Sequence, residues 1–212
     1  MNSIIYAVII GDIIGSTGVE DRAGLQRTFE KKIEEANLHL SENLAVRFQI
    51  TLGDEFQGLV KDLKHLPAIV SILREIFYPV RIRLSVGIGL ISTDIKDRIG
   101  LIDGPAFNMA REGISEISKS RERITIYRTG NEETDATLNI ICALTDILTK
   151  KRTKEQWEAI RLYRREKNLK KVADILNVKF QNIHKRLQSA HWNTYEKTEN
   201  FLSNYITSKC SP

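Results

Sequence analysis

Apolar residues run almost unbroken from Ile4 to Ile10 and stop at Gly11-Asp12. A short run this rich in β-branched residues predicts a central strand covered on both faces. Past the turn Gly15-Ser16-Thr17, Leu25, Phe29, Ile33, Ala36 and Leu40 recur at helical spacing, and the helix they predict stops near Ser41-Glu42-Asn43. Val46, Phe48, Ile50 and Leu52 then alternate with Arg47, Gln49 and Thr51, a strand pattern. Gly53-Asp54 is a hairpin turn signal, and residues 56–60 return as the partner strand. Residues 66–78 read as a helix with Ile69, Ile72, Leu73 and Ile76 on one face and Pro67 in its first turn. Residues 81–91 alternate again, as a strand does. A polar loop over 92–100 leads to Gly104-Pro105, which opens a helix carrying Phe107, Ala110, Ile114 and Ile117, and residues 123–127 form a last strand.

The resulting order, β-α-β-β-α-β-α-β, is a split βαβ arrangement of the ferredoxin-like kind. The expected fold is α+β: a mixed sheet over residues 1–130 with helices on one face. Residues 134–148 predict a connecting helix with Leu138, Ile141, Leu144, Thr145 and Leu148 on one side, so 131–152 read as a bridge ending in the basic stretch Lys150-Lys151-Arg152.

Residues 153–212 change character. Three helices are expected, over 155–167, 169–176 and 180–190. Ala173 is a small residue where two helices would cross, Asn177 tolerates a left-handed backbone at the turn, and Ile183 anchors the third helix. That is a helix-turn-helix pattern, an all-α module beside the α+β one. The third helix would expose Lys179, Gln181, Asn182, Lys185 and Arg186, side chains suited to base edges and phosphates, with His184 as a further phosphate contact. A plain three-helix bundle used for dimerisation fits the same spacing. Trp192, Tyr195, Phe201 and Tyr205 predict a final amphipathic helix that packs back or pairs with a second copy.

Charge sharpens this division. The chain of 212 residues carries a net +5, but residues 150–212 hold 15 basic and 6 acidic side chains, while the preceding part is net −4. A basic module on a mildly acidic one points to a polyanion, DNA, as the tail's partner; a solvated basic helical face is the alternative. Hydrophobic content of 42% is ordinary for a globular protein. No apolar run approaches the ~18 residues of a membrane helix, and the N-terminal stretch lacks a basic leader. Of the two cysteines, Cys142 sits in an apolar helical run, and Cys210 lies in what reads as a mobile terminus. The expectation is a cytoplasmic protein with no disulfide and no membrane partner.

Candidate chemistry centres on Asp12. A buried strand that delivers a carboxylate to its exit, beside a Gly-Ser-Thr turn with free N–H groups, suits a metal ion and a phosphate. Asp54, at a hairpin tip, could converge on it, and two such carboxylates would bind Mg²⁺ or Mn²⁺. Taken singly, Asp12 also fits a polar strand end, Asp54 a turn residue, and Asn108 a helix cap or a buried amide.

Four stretches, Asp12 to Thr17, Gly53-Asp54, Val86-Gly87-Ile88-Gly89 and Gly104 to Ala110, together resemble the class III nucleotidyl cyclase domain in order and spacing. The whole chain resembles SatD-family proteins, which join such a domain to a small C-terminal helical module. Gly53-Asp54-Glu55-Phe56 also resembles the diguanylate cyclase motif, although Leu52 stands where that motif has a leading glycine. The cyclase resemblance implies Asp12 and Asp54 as metal-binding carboxylates, with the Ile13 carbonyl as a further ligand. It implies phosphate contacts from the backbone up to Thr17 (Ile14, Gly15, Ser16) and a ribose contact from Asn108. It implies a homodimer, with a nucleotide as ligand.

The departures point the other way. The family's transition-state arginine position holds Glu112, and Arg111 falls one residue early, about a 100° turn away on a helix. Ile50 and Leu101 occupy the base-reading positions, where an apolar side chain makes no polar base contact. The sequence therefore reads as a DNA-binding regulator with a nucleotide- and metal-sensing, non-cyclising domain. An active nucleotidyl cyclase or transferase, and a dimeric scaffold that binds neither ligand, are the alternatives.

Overall fold

The structure, a computed structural model, describes residues 4–120 and 124–210. Its elements are β1 (Tyr6–Ile13), α1 (Arg22–Leu40), β2 (Leu44–Leu52), β3 (Glu55–Val60), α2 (Leu66–Phe77), β4 (Ile82–Gly89), α3 (Pro105–Ser118), β5 (Thr125–Arg128), α4 (Glu132–Lys150), α5 (Lys154–Glu166), α6 (Leu169–Ile175), α7 (Phe180–Ser189) and α8 (Trp192–Cys210). The strands form one mixed sheet in the order β2-β3-β1-β4-β5, with only β4 and β5 parallel. The expected strand at 123–127 is β5, and its first residue lies outside the described residues.

β1 explains its own apolar run. Ala7, Ile9 and Ile13 enter a core with Phe29 and Ile33 of α1 and Ile69 and Leu73 of α2. Val8 and Ile10 enter a second core with Ala106, Ala110 and Ile117 of α3. Successive strand residues face opposite sides, so the sheet carries helices on both faces, not on one as expected. Two-sided burial is what an uninterrupted apolar strand requires.

Glycines let α3 seat this closely. A Cβ on Gly87 would lie 2.1 Å from the Ala106 carbonyl oxygen and 2.5 Å from the Ala110 nitrogen. Helix starts follow local capping: Asp21 accepts from the Gly24 N–H at 2.8 Å, Asn131 caps α4, Thr153 and Gln156 form a capping box on α5, and Asn168 caps α6. Each satisfies backbone donors that the first helical turn leaves unpaired.

The C-terminal helices are joined to the sheet half. Leu138 and Cys142 of α4 and Leu202 and Ile206 of α8 belong to the α1–α2 core, so the last helix packs back. Cys210 ends α8 half-buried, and both cysteines are free. Ion pairs are buried at the junction. Arg74 of α2 meets Asp146 of α4. Arg164 of α5 sits 2.7 Å from Glu75 and 2.9 Å from Glu199. Among the described residues, no helix is long and apolar enough to cross a membrane.

Candidate functional site

Three neighbouring strands place Glu55, Asp12 and Arg83 side by side. Asp12 of β1 is in register with Glu55 of β3 and with Arg83 of β4. Strand alternation turns all three toward α3, because the intervening Phe56 and Leu84 enter the opposite core. Arg83 Nη1 donates to Asp12 Oδ2 at 3.1 Å and to Oδ1 at 3.4 Å. Glu55 Oε1 accepts from Thr51 Oγ1 at 3.0 Å and from Gln57 Nε2 at 2.8 Å. Arg111, reaching down from α3, stands 3.8 Å from the same oxygen. The result is a row of charges, Arg111–Glu55–Asp12–Arg83, across the end of the sheet.

Burial raises the Asp12 carboxyl above its ordinary value; Arg83 opposes the rise, and the negative charges of Asp54 and Glu55 add to it. Asp54 is thus within electrostatic reach of Asp12. Among the described residues, however, no group of three or more His, Cys, Asp or Glu side chains is arranged to hold a metal ion. Asp12 and Asp54 offer hard carboxylate oxygens, the donor type that a divalent cation takes. Arg83 already serves as Asp12's counter-ion, so a metal would compete with it.

The turn after β1 differs from expectation at one residue. The Ile14 N–H donates to the Arg81 carbonyl at 2.8 Å, which removes it as a phosphate donor; the β1–β4 ladder runs one bond further than the sequence shows. Ile13 is still within the ladder, paired with Ile82. Gly15 has φ +80° and opens a 3-10 turn at Ser16–Gly18. The first N–H groups of such a turn have no partner inside it.

Asn108 lies inside α3 and is exposed, so it is neither a cap nor a buried amide. It borders a shallow depression on the outer face of α3 with Arg111, Glu112 and Ser115. The one-residue offset therefore does not turn Arg111 away from Asn108: positions three and four residues on share a helix face. Ile50 packs partly into the α1–α2 core, and Leu101 is 57% exposed. The sequence pattern does not single out Arg83 and Glu55, whose place on the same sheet face as Asp12 follows only from the strand register.

In the tail, Ala159, Ile160, Val172, Ala173, Ile183 and Leu187 form the core of α5–α7. Asn177 has φ +51°, and the Val178 N–H closes the turn on the Ala173 carbonyl at 3.0 Å. Lys179, Gln181, Asn182, His184 and Lys185 are exposed, and Arg186 is half-buried.

Comparison with solved structures gives distant likenesses. The guanylate cyclase domain of RhGC from Catenaria anguillulae, in complex with GTP, is 14% identical over 54% of this chain and 75% of that one, with a TM-score of 0.43. The adenylyl cyclase CyaB from P. aeruginosa is 16% identical over 52% and 71%, with a TM-score of 0.35. A regulator of polyketide synthase expression from Bifidobacterium adolescentis is 14% identical over 98% and 85%, with a TM-score of 0.30. At these scores no residue role transfers. No curated protein matches. A family model matches residues 6–206, nearly the whole chain, and the protein accordingly belongs to the SatD family.

Proposed function

We propose that the Asp12 row binds the phosphates of a nucleotide together with a divalent cation, without cyclising it, and that the C-terminal module binds DNA. The observation that carries the first part is the convergence of Asp12, Glu55, Arg83 and Arg111 at one end of the sheet, with Asp54 in electrostatic reach. We read strands β2-β3-β1-β4 as the ferredoxin-like unit, with α3 and β5 added. Asp12 and Asp54 would hold Mg²⁺ or Mn²⁺, with the Ile13 carbonyl as a third ligand; bound there, the ion supplies positive charge to phosphate oxygens. Arg83 and Arg111 are the chain's own phosphate-facing cations, and the Gly15-Ser16-Thr17 backbone is the donor turn.

Asn108 has no hydrogen bond to the Asp12 row and faces outward, so its ribose contact would be made to a site on a second copy. Exposed Leu52 and Leu101 would be covered in that homodimer. Against cyclisation stand Ile50, Leu101 and Glu112 at the positions where the cyclase resemblance requires base-reading and transition-state groups.

The test is a thermal-shift and calorimetric screen of nucleoside triphosphates with Mn²⁺. Metal-dependent binding that disappears in Asp12→Asn supports the reading; silence toward all of them ends it. Incubation with each triphosphate, followed by product chromatography, tests the enzyme alternative, and turnover lost in Asp12→Asn would replace the non-cyclising reading.

DNA binding is favoured by a separate observation: the left-handed Asn177 turn sets α7 with Lys179, Gln181, Asn182 and Lys185 in solvent and Arg186 at the edge. Gel shifts on genomic fragments should show affinity that falls with salt and weakens in Lys185→Ala. No affinity at low salt would remove DNA as the partner.

A further inference from the structure

A second, unassigned cavity lies at the junction between the sheet and the tail. It measures about 310 Å³ and lies among the end of α2, the start of β4 and the α4–α5 turn. Arg74 and Arg152, each 6% exposed, line it with Arg81 and Lys150, which are solvent-exposed. Tyr78 and Trp157 form an aromatic wall, their ring centroids 5.9 Å apart. Among the described residues, no carboxylate side chain lines the cavity. Asp146, which faces Arg74, is already engaged by it and by the N–H groups of Ile124 and Thr125, each at 3.0 Å.

The buried arginines are under-used. Among the described residues, Arg74 Nε, Arg152 Nε and Arg152 Nη1 find no hydrogen-bond partner and are buried. The Arg152 guanidinium is held 5.0 Å from the centroid of the Trp157 ring and 4.3 Å from that of Tyr195. Those rings fix the cation, Nη2 donates to the Ala190 carbonyl at 3.4 Å, and Nε and Nη1 stay unspent. Burial lowers the Arg152 pKa, while Tyr195, Glu75 and Glu199 resist the fall. A buried charged donor without an acceptor is costly and uncommon, and the space beside these donors is concave, basic and of ligand size.

We infer that this cavity binds a small organic anion of mononucleotide size, its phosphate or carboxylate bonded by Arg74 and Arg152 and its planar part set against Tyr78 and Trp157. Guanidinium groups suit both anions, since their planar N–H donors match two oxygens at once. Arg81 and Lys150 guide the anion in from the rim. The site is distinct from the Asp12 row, which uses carboxylates and a divalent ion. An occupant here touches the sheet half and the first tail helix together.

The test is calorimetry on the full chain in buffer stripped of divalent ions by a chelating resin, which excludes metal-dependent binding. The probes are inorganic phosphate, purine nucleoside monophosphates, the parent nucleosides and small dicarboxylates. Binding of the monophosphates without the nucleosides identifies a phosphate ligand, and binding of the dicarboxylates identifies a carboxylate one. Either should weaken at least tenfold in the rim double variant Arg81→Gln/Lys150→Gln, whose exposed positions leave the fold intact, and should persist in Asp12→Asn. No anion bound at millimolar concentration, affinity unchanged in the rim variant, or affinity lost in Asp12→Asn would each overturn the proposal.

Discussion

Arg83 on β4 donates to the carboxylate of Asp12 on β1, 3.1 Å away and directly across the strand register. The pair is only partly buried, and it occupies the end of the sheet where Glu55 and Arg111 also meet. It is therefore a charged site under tension: burial and two neighbouring carboxylates work against the Asp12 anion, and Arg83 works for it.

A pH dependence follows from that balance. The folded-state pKa of Asp12 is raised above its ordinary 3.8, so its contribution to stability is fully present below that value and is lost as pH rises through the raised one. Asp12→Asn should flatten this fall, leaving Tm at pH 7 equal to or above that of the parent protein. Mn²⁺ favours the carboxylate, so it should raise Tm more at pH 7 than at pH 4. Melting curves across that range check both; a Tm at pH 7 well below the parent's would contradict the sign.

Gly87→Ala should destabilise the fold by about 1–3 kcal/mol, the usual cost of overpacking. The added methyl meets the backbone of α3, not a side chain that can turn aside, so the helix itself must shift. Urea unfolding measures the loss, and Gly18→Ala, whose Cβ would meet nothing within 4 Å, is the control.

Arg164→Met should cost about 3–5 kcal/mol, since it leaves Glu75 and Glu199 together in the interior without their cation. Burial already raises the Glu75 pKa against the pull of Arg164. Losing the arginine raises it further, so the variant should recover part of its deficit as pH falls and Glu75 takes up a proton. Unfolding measured at pH 7 and pH 4.5 separates this from a simple packing loss, which would be the same at both.

The cysteines should differ in rate. Burial pushes the Cys142 thiol far above its ordinary value, and it is 4% exposed; the Cys210 thiol is raised less and half-buried. A maleimide should label Cys210 first and Cys142 only on unfolding. Mass spectrometry of a labelling time course reads this directly.

Much of the fold was legible because its signals are local. The β1 run, the alternation of β2 and β4, the Gly53-Asp54 turn and the periodicity of α1–α3 each depend on neighbours in sequence, and the structure follows them to within a few residues. The same holds for Asn177: a residue tolerant of positive φ stands where the backbone takes it. What the local pattern does not carry is the face on which an element packs. Val8 and Ile9 look alike in the sequence, yet they enter different cores, and only the return path of the chain decides that α3 covers the second face.

The candidate site divides along the same line. Asp12 was recognisable because a carboxylate ends an apolar strand, and Asp54 because it sits in a turn. The partnership with Arg83, the loss of the Ile14 N–H to Arg81 and the approach of Arg111 to Glu55 are long-range facts, set by strand register and by the seating of α3 on Gly87. The basic cavity of Arg74, Arg81, Lys150 and Arg152 is likewise absent from any local pattern, because it exists only where residues scattered along the chain are folded against one another. Sequence alone determined which segments form strands and helices, through backbone preference and hydrophobic period. Tertiary structure decided which charges face each other, because electrostatic partnership depends on distance in space and on burial, and neither is a property of the order of residues.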